Sequence, residues 1–301
     1  MSRYLILCLL LSTALAWADP CLSPDGRNAL FFRLDQQGRP SYSVERDGQV
    51  VLKNSPLGFV FKDQTLLDGF TLERSTSRLV DEQWQPLWGE CSHIRNHYRE
   101  HTLYLRSHDR AVRLYLRAYD DGVAFRLVIP KQPGFEQFEL TREATGFVFP
   151  ADYTAWWIPD NWDTYEEIYS QTPLSAIGHY HNPLNPKHTH GSNRPAELPH
   201  GCNTPVTIQA ADDLYLSIHE ANLTDYAGMT LVPAGQFAFT AQLVPWPDGV
   251  AVRGQAPLVT PWRTIQLASA PGGLIESHLI LNLNEPNKLT ETDYIKPMKL
   301  L

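Results

Sequence analysis

Alternation of apolar and polar side chains is the sequence pattern that most constrains how this chain folds. From Val112 to residue 118 every second residue is apolar, and the residues between them are arginines and tyrosines. The turn sequence Asp120-Asp121-Gly122 follows, and the alternation resumes over residues 123–129. Two alternating runs joined by such a turn predict a β-hairpin with one buried face.

The same pattern recurs along the chain. Residues 29–34, 42–44 and 50–52 alternate around turns at Gln37-Gly38 and Asp47-Gly48, and residues 237–243 alternate before Pro247-Asp248-Gly249. Sustained helical spacing is missing from the sequence, and the best helical candidate is a short segment at about 274–278. Many short strands over about 260 residues, without a Gly/Ser-rich linker, predict one all-β domain, a large antiparallel two-sheet sandwich.

Charge and aromatic content narrow the possible partners. The chain has 25 Lys and Arg against 33 Asp and Glu, a net charge of −8. This acidic balance argues against nucleic acid and anionic membrane surfaces as partners. Aromatic residues make up 11% of the chain, which suits a large β core and, more weakly, carbohydrate handling.

The N-terminus has the features of a secretory signal peptide. Arg3 precedes an apolar run over residues 5–15, and small residues at Ala16 and Ala18 predict cleavage after Ala18. The run is too short for a membrane anchor, so we expect a mature protein that is exported, to the periplasm, without a membrane span. Removing the signal leaves Cys21, Cys91 and Cys202, which allow at most one disulfide and leave its pairing open.

Residues 177–203 are rich in proline and lack periodicity, which is typical of a long functional or mobile loop. Clustered imidazoles can bind a metal, but a solvated polar loop is the alternative, because no carboxylate or cysteine completes a ligand set. The histidines of this loop are His179, His181, His188, His190 and His200.

Two further features could carry chemistry. Residues 156–167 are dense in tryptophan, tyrosine and acids, and form either a sugar-stacking platform or a corner plugged into the core. Glu220 shares parity with Leu214, Leu216 and Ile218, so its carboxylate lies on an apolar strand face or at the strand's end. Such a carboxylate needs a compensating partner: an arginine, a metal ion or water at the rim of the sheet.

Several long segments resemble the N-terminal domain of glycoside hydrolase family 97, a family of bacterial α-glucosidases and α-galactosidases. The segments are 23–52, WGE (88–90), YDDGVAFR (119–126), WWIP (156–159), YEEIYSQTPL (165–174), NTPVTI (203–208), LYLSIHEANLTDYAGM (214–229), LVPWPDGVAVRG (243–254), TPWRTIQLA (260–268) and LILNLNEPNK (279–288). The resemblance implies a β-super-sandwich, similar to the galactose-mutarotase fold, over residues 19–292. Residues 293–301 resemble the start of the linker to a catalytic (β/α)₈ barrel.

The resemblance also implies which functional residues lie in this domain and which lie in the catalytic barrel. The family's catalytic acid and base lie on the barrel, for which no residues remain here, so we expect no catalytic residue in this chain. Glu220 falls on the family's calcium-binding glutamate, and calcium is expected only with the barrel present. Some members carry a second ligand, an asparagine, where this chain has Ser217.

Three functions follow as hypotheses. The first is the non-catalytic domain of an exported α-glycosidase that acts on an α-linked oligosaccharide, either truncated before its barrel or split from a separately encoded barrel. The second is a stand-alone carbohydrate-binding module. The third, a mutarotase-like epimerase, lacks a recognisable motif.

Overall fold

The computed structural model describes residues 18–184 and 200–296. In these ranges the chain forms 22 strands, two short α-helices and one 3₁₀ turn at Leu174–Ala176. The strands are β1 (Cys21–Leu22), β2 (Asn28–Leu34), β3 (Pro40–Arg46), β4 (Gln49–Pro56), β5 (Phe59–Phe61), β6 (Thr65–Leu66), β7 (Phe70–Trp84), β8 (Ile94–Ser107), β9 (Arg110–Tyr119), β10 (Gly122–Ile129), β11 (Gln137–Glu143), β12 (Gly146–Val148), β13 (Thr154–Trp157), β14 (Ser170–Pro173), β15 (Cys202–Asn203), β16 (Val206–Ala211), β17 (Leu214–Ala221), β18 (Met229–Gly235), β19 (Ala238–Leu243), β20 (Val252–Gln255), β21 (Leu258–Val259) and β22 (Trp262–Ala268). The helices are α1 (Pro271–Glu276) and α2 (Leu279–Leu283).

A ten-stranded antiparallel sheet dominates the fold. Its strand order is β14-β13-β16-β17-β22-β10-β9-β8-β7, with β21 paired to β10 beside β22. Every residue of β22 is buried, because this strand has neighbours on both sides and protein on both faces. The sheet therefore places β22 and its neighbours β17 and β10 at the centre of the molecule.

Three four-stranded sheets pack with the large sheet, in the orders β1-β2-β3-β4, β20-β11-β5-β6 and β12-β19-β18-β15. Buried apolar residues of all four sheets form one common hydrophobic core. The predicted fold class, an all-β sandwich of antiparallel sheets, is confirmed. The hairpin predicted over residues 112–129 is β9 and β10, which pair from Tyr119 and Gly122 outwards.

Two local predictions are refined by the structure. The predicted turn at residues 247–249 is present, where the Gly249 N–H donates to the Trp246 carbonyl, and it leads into β20. It closes no hairpin, because β19 and β20 belong to different sheets. The short helix predicted at about 274–278 begins earlier, at Pro271, and ends at Glu276. Proline is well accepted at the first helical position, where its missing N–H costs no hydrogen bond.

The strand β7 is one edge of the large sheet, and among the described strands it pairs only with β8. Most of its side chains are exposed. Ion pairs join it to β8, among them Arg106 to Glu73 and Arg95 to Asp81. Charged side chains along an exposed edge discourage pairing with other chains.

Neither helix in the described part of the chain has the length and apolar character that a membrane span requires.

Candidate functional site

The carboxylate of Glu220 lies near the end of β17, one of the central strands of the large sheet. The strand register sets Glu220 directly opposite Arg263 of β22. Arg263 Nη1 donates to Glu220 Oε2 at 2.5 Å, and the backbone N–H of Met229 donates to Glu220 Oε1 at 3.1 Å. The arginine that the sequence left open as one possible partner is therefore the observed one.

A second carboxylate, Glu143 at the end of β11, binds the same guanidinium. Arg263 Nε donates to Glu143 Oε1 at 2.8 Å and Nη2 donates to Oε2 at 2.6 Å, a bidentate pair. The hydroxyls of Thr145 and Tyr226 also donate to Glu143, at 2.7 and 2.8 Å. Glu143 and Arg263 are buried, each only 1% exposed, and Tyr226 is half-buried.

The cluster holds two carboxylates and one guanidinium, so its charges do not balance. Burial raises the pKa of Glu220, and the attraction of Arg263 offsets only part of this effect. Burial also tends to raise the pKa of Glu143, but the charge of Arg263 and the hydrogen bonds from Arg263 and the two hydroxyls outweigh burial, so the pKa of Glu143 is lowered. The two pKa values move apart because Glu143 accepts four hydrogen bonds and Glu220 accepts two.

The environment of Glu220 fits one ligand of a calcium ion. Calcium takes six to eight oxygen ligands, and each oxygen of Glu220 accepts a single hydrogen bond, which leaves lone pairs available. Ser217 lies three positions earlier on the same strand and so on its opposite face, where it cannot share an ion with Glu220. The described residues contain no group of three or more His, Cys, Asp or Glu side chains placed to hold a metal.

The histidine cluster of the proline-rich loop is only partly described. His188 and His190 lie outside the described residues. His179 and His181 flank Tyr180 just after the 3₁₀ turn, and His200 Nδ1 lies 3.9 Å from Asp160 Oδ1. The metal interpretation of this loop stays a prediction.

Part of the aromatic segment at 156–167 packs into the core and part of it is exposed, so each of the two interpretations, a core corner and a sugar-stacking platform, applies to some of its residues. Trp157 is a core residue, 2% exposed, and its indole N–H donates to Thr172 Oγ1. Tyr165 and nearby Tyr169 are 62% and 57% exposed. Partial burial and, second, the charge of Glu220 raise the pKa of Tyr165, which places its phenol near that carboxylate.

Sequence reasoning missed Arg263 and Glu143. Arg263 alternates with Ile265 and Leu267 in β22, so strand parity already set its guanidinium among apolar side chains. A buried arginine requires a carboxylate, and this signal could have paired it with Glu220. Glu143 follows a run without such clear alternation, so its position could not be inferred in the same way.

All three cysteines of the described chain, Cys21, Cys91 and Cys202, are free thiols.

Comparison with known families identifies the domain. The protein-family model for the N-terminal domain of glycosyl hydrolase 97 matches residues 21–286 of the chain. The chain belongs to glycoside hydrolase family 97. This membership agrees with the resemblance of the segments around Glu220 and Arg263.

Relatives in family 97 are much longer than this chain. A retaining α-galactosidase of Bacteroides thetaiotaomicron is 22% identical over 331 aligned positions, which cover 99% of this chain and 46% of the relative. A probable retaining α-galactosidase of Streptomyces bingchenggensis is 26% identical over 86% of this chain and 36% of its own length. The chain thus spans less than half the length of these curated relatives.

Solved structures of glycosidases share the fold of this chain. A family 97 enzyme from Pseudoalteromonas sp. strain K8, solved in complex with panose, superposes with a TM-score of 0.81 at 35% identity. The match covers 92% of this chain and 40% of that one. A β-arabinopyranosidase structure gives a TM-score of 0.78 at 23% identity, covering 91% of this chain and 44% of its own.

Proposed function

We propose that this chain acts as the non-catalytic N-terminal domain of an exported α-glycosidase. In this proposal it shapes the carbohydrate site and supplies Glu220 as one calcium ligand, while a catalytic barrel supplies the remaining ligands and the acid and base. The observation that carries the proposal is the Glu220–Arg263–Glu143 cluster in a domain of family 97.

The chemistry of the cluster supports a role without catalysis. Glycoside hydrolysis needs two carboxyl groups, one to donate a proton and one to act as base or nucleophile. Both oxygens of Glu143 are taken up by Arg263 and two hydroxyls. Glu143 is also 1% exposed, so it meets neither water nor substrate.

The unbalanced charge supports the calcium role of Glu220. One guanidinium serves two carboxylates, and Glu220 is the carboxylate with fewer donors and the greater exposure, 8% against 1% for Glu143. A cation beside Glu220 would neutralise the excess negative charge that burial makes unfavourable. When bound, calcium would supply a positive charge that orients sugar hydroxyls.

Activity of the isolated chain provides the first test. We expect no hydrolysis of nitrophenyl α-glucoside or α-galactoside above a heat-inactivated control. Turnover that is lost on substitution of a residue within this chain would refute the non-catalytic role.

Calcium binding provides the second test. Calorimetry should detect no calcium binding to the chain alone at micromolar concentration, because one carboxylate cannot replace the water shell of the ion. Adding the barrel of the Pseudoalteromonas relative should restore binding, Glu220→Gln should remove it, and the exposed-site control Glu139→Gln should leave it unchanged. Tight binding by the chain alone that survives Glu220→Gln would show that Glu220 is not the ligand.

Export is tested separately. Expression in a Gram-negative host should yield a periplasmic protein whose first residue is Asp19. A cytoplasmic product that retains Arg3 would contradict this part of the proposal.

The exposed tyrosines favour a second candidate function, a carbohydrate-binding module that acts alone. Tyr165 and Tyr169 present aromatic rings to solvent, and the charge of Glu220 acts on the phenol of Tyr165. In that case panose should bind the isolated chain, and Tyr165→Ala should weaken binding. Trp246→Ala, which removes a ring that is 60% exposed elsewhere, is the matched control.

A further inference from the structure

A groove of about 600 Å³ opens beside the centre of the large sheet. Its lining includes the apolar residues Phe138 and Val259 and the polar residues Asn222, Asp225 and Glu285. Arg126 of β10 also lines this groove. A volume of this size suits a ligand of one or two sugar rings.

Arg126 is held rigidly by aromatic rings. Its guanidinium carbon lies 4.5 Å from the ring centroid of Trp262 and 5.6 Å from that of Tyr115. Trp262 is 1% exposed and also contacts the guanidinium of Arg117 at 4.5 Å. These contacts fix the plane of the Arg126 fork, so binding to it costs little conformational entropy.

Arg126 differs from the other interior arginines in lacking a polar partner. Arg117 donates to Glu100 at 2.8 Å, and Arg263 binds two carboxylates. Arg126 makes no hydrogen bond or ion pair with any described residue, and its Nε is buried without an acceptor. A partly buried cation left in this way is unfavourable unless something else neutralises it.

We propose that this groove binds a carboxylate-bearing sugar, with the carboxylate on the guanidinium of Arg126. The planar fork of an arginine matches the two oxygens of a carboxylate, and such a pair forms strong charge-assisted hydrogen bonds. The ring hydroxyls of the sugar donate to Asp225 and Glu285, and its apolar face packs on Phe138. The inference does not depend on the function proposed above.

The other charges of the groove are consistent with this ligand. Arg253 already binds Glu139 and Asp248, so it does not compete for the carboxylate. Lys288 lines the groove and adds positive charge. The two groove carboxylates, Asp225 and Glu285, disfavour compact, highly charged anions such as phosphate, because they repel a concentrated negative charge more strongly than a singly charged sugar acid.

Calorimetry with three probes tests the site. D-glucuronate should bind the purified chain, and D-glucose, which lacks the carboxylate, should bind at least about tenfold more weakly, since it loses the charge-assisted hydrogen bonds. N-acetyl-glutamate amide presents the same carboxylate as a protein side chain would. If this third probe binds about tenfold more tightly than glucuronate, the assignment to a sugar is wrong.

Substitutions then locate the site. Arg126→Gln should weaken glucuronate binding by about tenfold or more. The control Arg113→Gln removes an arginine of β9 that does not line the groove and should leave binding unchanged. Arg126→Lys keeps the charge without the planar fork, and should weaken binding without lowering Tm even if Arg126→Gln folds poorly. Equal binding of glucose and glucuronate, or unchanged affinity in Arg126→Lys, would overturn the proposal.

Discussion

The two carboxylates bound to Arg263 should differ sharply in what they contribute to stability. Glu143→Gln keeps the size of the side chain and replaces one acceptor oxygen by an NH₂ group. Glu143 accepts two hydrogen bonds on each oxygen, one from Arg263 and one from a hydroxyl. The NH₂ group of the glutamine therefore faces one N–H donor of Arg263 and one hydroxyl, and it cannot accept a hydrogen bond from either.

The expected cost follows from these lost bonds. A hydrogen bond to a charged group contributes about 1.5–3 kcal/mol and a neutral one about 1 kcal/mol, so Glu143→Gln should lower the free energy of unfolding by about 2.5–4 kcal/mol. Glu220→Gln is the matched control. Its amide oxygen can still accept from Arg263, and its NH₂ loses only the N–H of Met229, a cost of about 1 kcal/mol.

Urea unfolding at pH 7 measures both variants. The midpoint should fall in Glu143→Gln without a change in the slope m, since the surface exposed on unfolding is the same. Equal losses in the two variants, or a larger loss in Glu220→Gln, would refute the reasoning, because it would mean that Arg263 does not bind Glu143 preferentially.

Three further predictions concern other residues. Burial lowers the pKa of His219, and the positive charge of Arg263 adds a smaller effect in the same direction. The folded chain therefore holds a neutral imidazole, whereas the unfolded chain binds a proton there below about pH 6.5, so the free energy of unfolding should fall as the pH drops below that value. His219→Asn should flatten that part of the pH profile, and an unchanged profile would contradict it. Burial raises the pKa of Cys21 to about 12 and also raises the pKa of Cys202. In the native chain a thiol reagent should therefore modify Cys91 before either buried thiol, and peptide mass spectrometry measures the order of modification. Trp262→Ala should cost about 3–5 kcal/mol in urea unfolding, because it empties a fully buried site, and a loss under 1 kcal/mol would show that the site collapses.

The sequence predicted features that depend on residues close together in the chain. Alternation and turn residues located β9 and β10 almost to the residue, because a hairpin is a local structure. Strand parity also put Glu220 on the side of β17 that carries Leu214, Leu216 and Ile218, although it left open whether the carboxylate is buried or lies at the rim of the sheet. These inferences needed only the two-residue period of a strand.

Pairing between distant segments could not be inferred in this way. Nothing local indicates that β22 lies between β17 and β10, or that β11 brings Glu143 to the same arginine. Such contacts depend on the packing of the whole core. The calcium role of Glu220 is a prediction from family resemblance, and neither the strand pattern nor the described contacts test it.

The position of β22 has a consequence for how the chain is made. Both neighbours of this strand, β10 and β17, are complete well before Trp262 is synthesised, yet each pairs with it over much of its length in the finished sheet. A nascent chain shorter than 262 residues therefore presents two apolar strands with unsatisfied backbone groups on the sides that β22 later fills. During translation those open strands are the natural targets for chaperones and for misassembly between neighbouring nascent chains. The large sheet can close only after translation has passed Ala268.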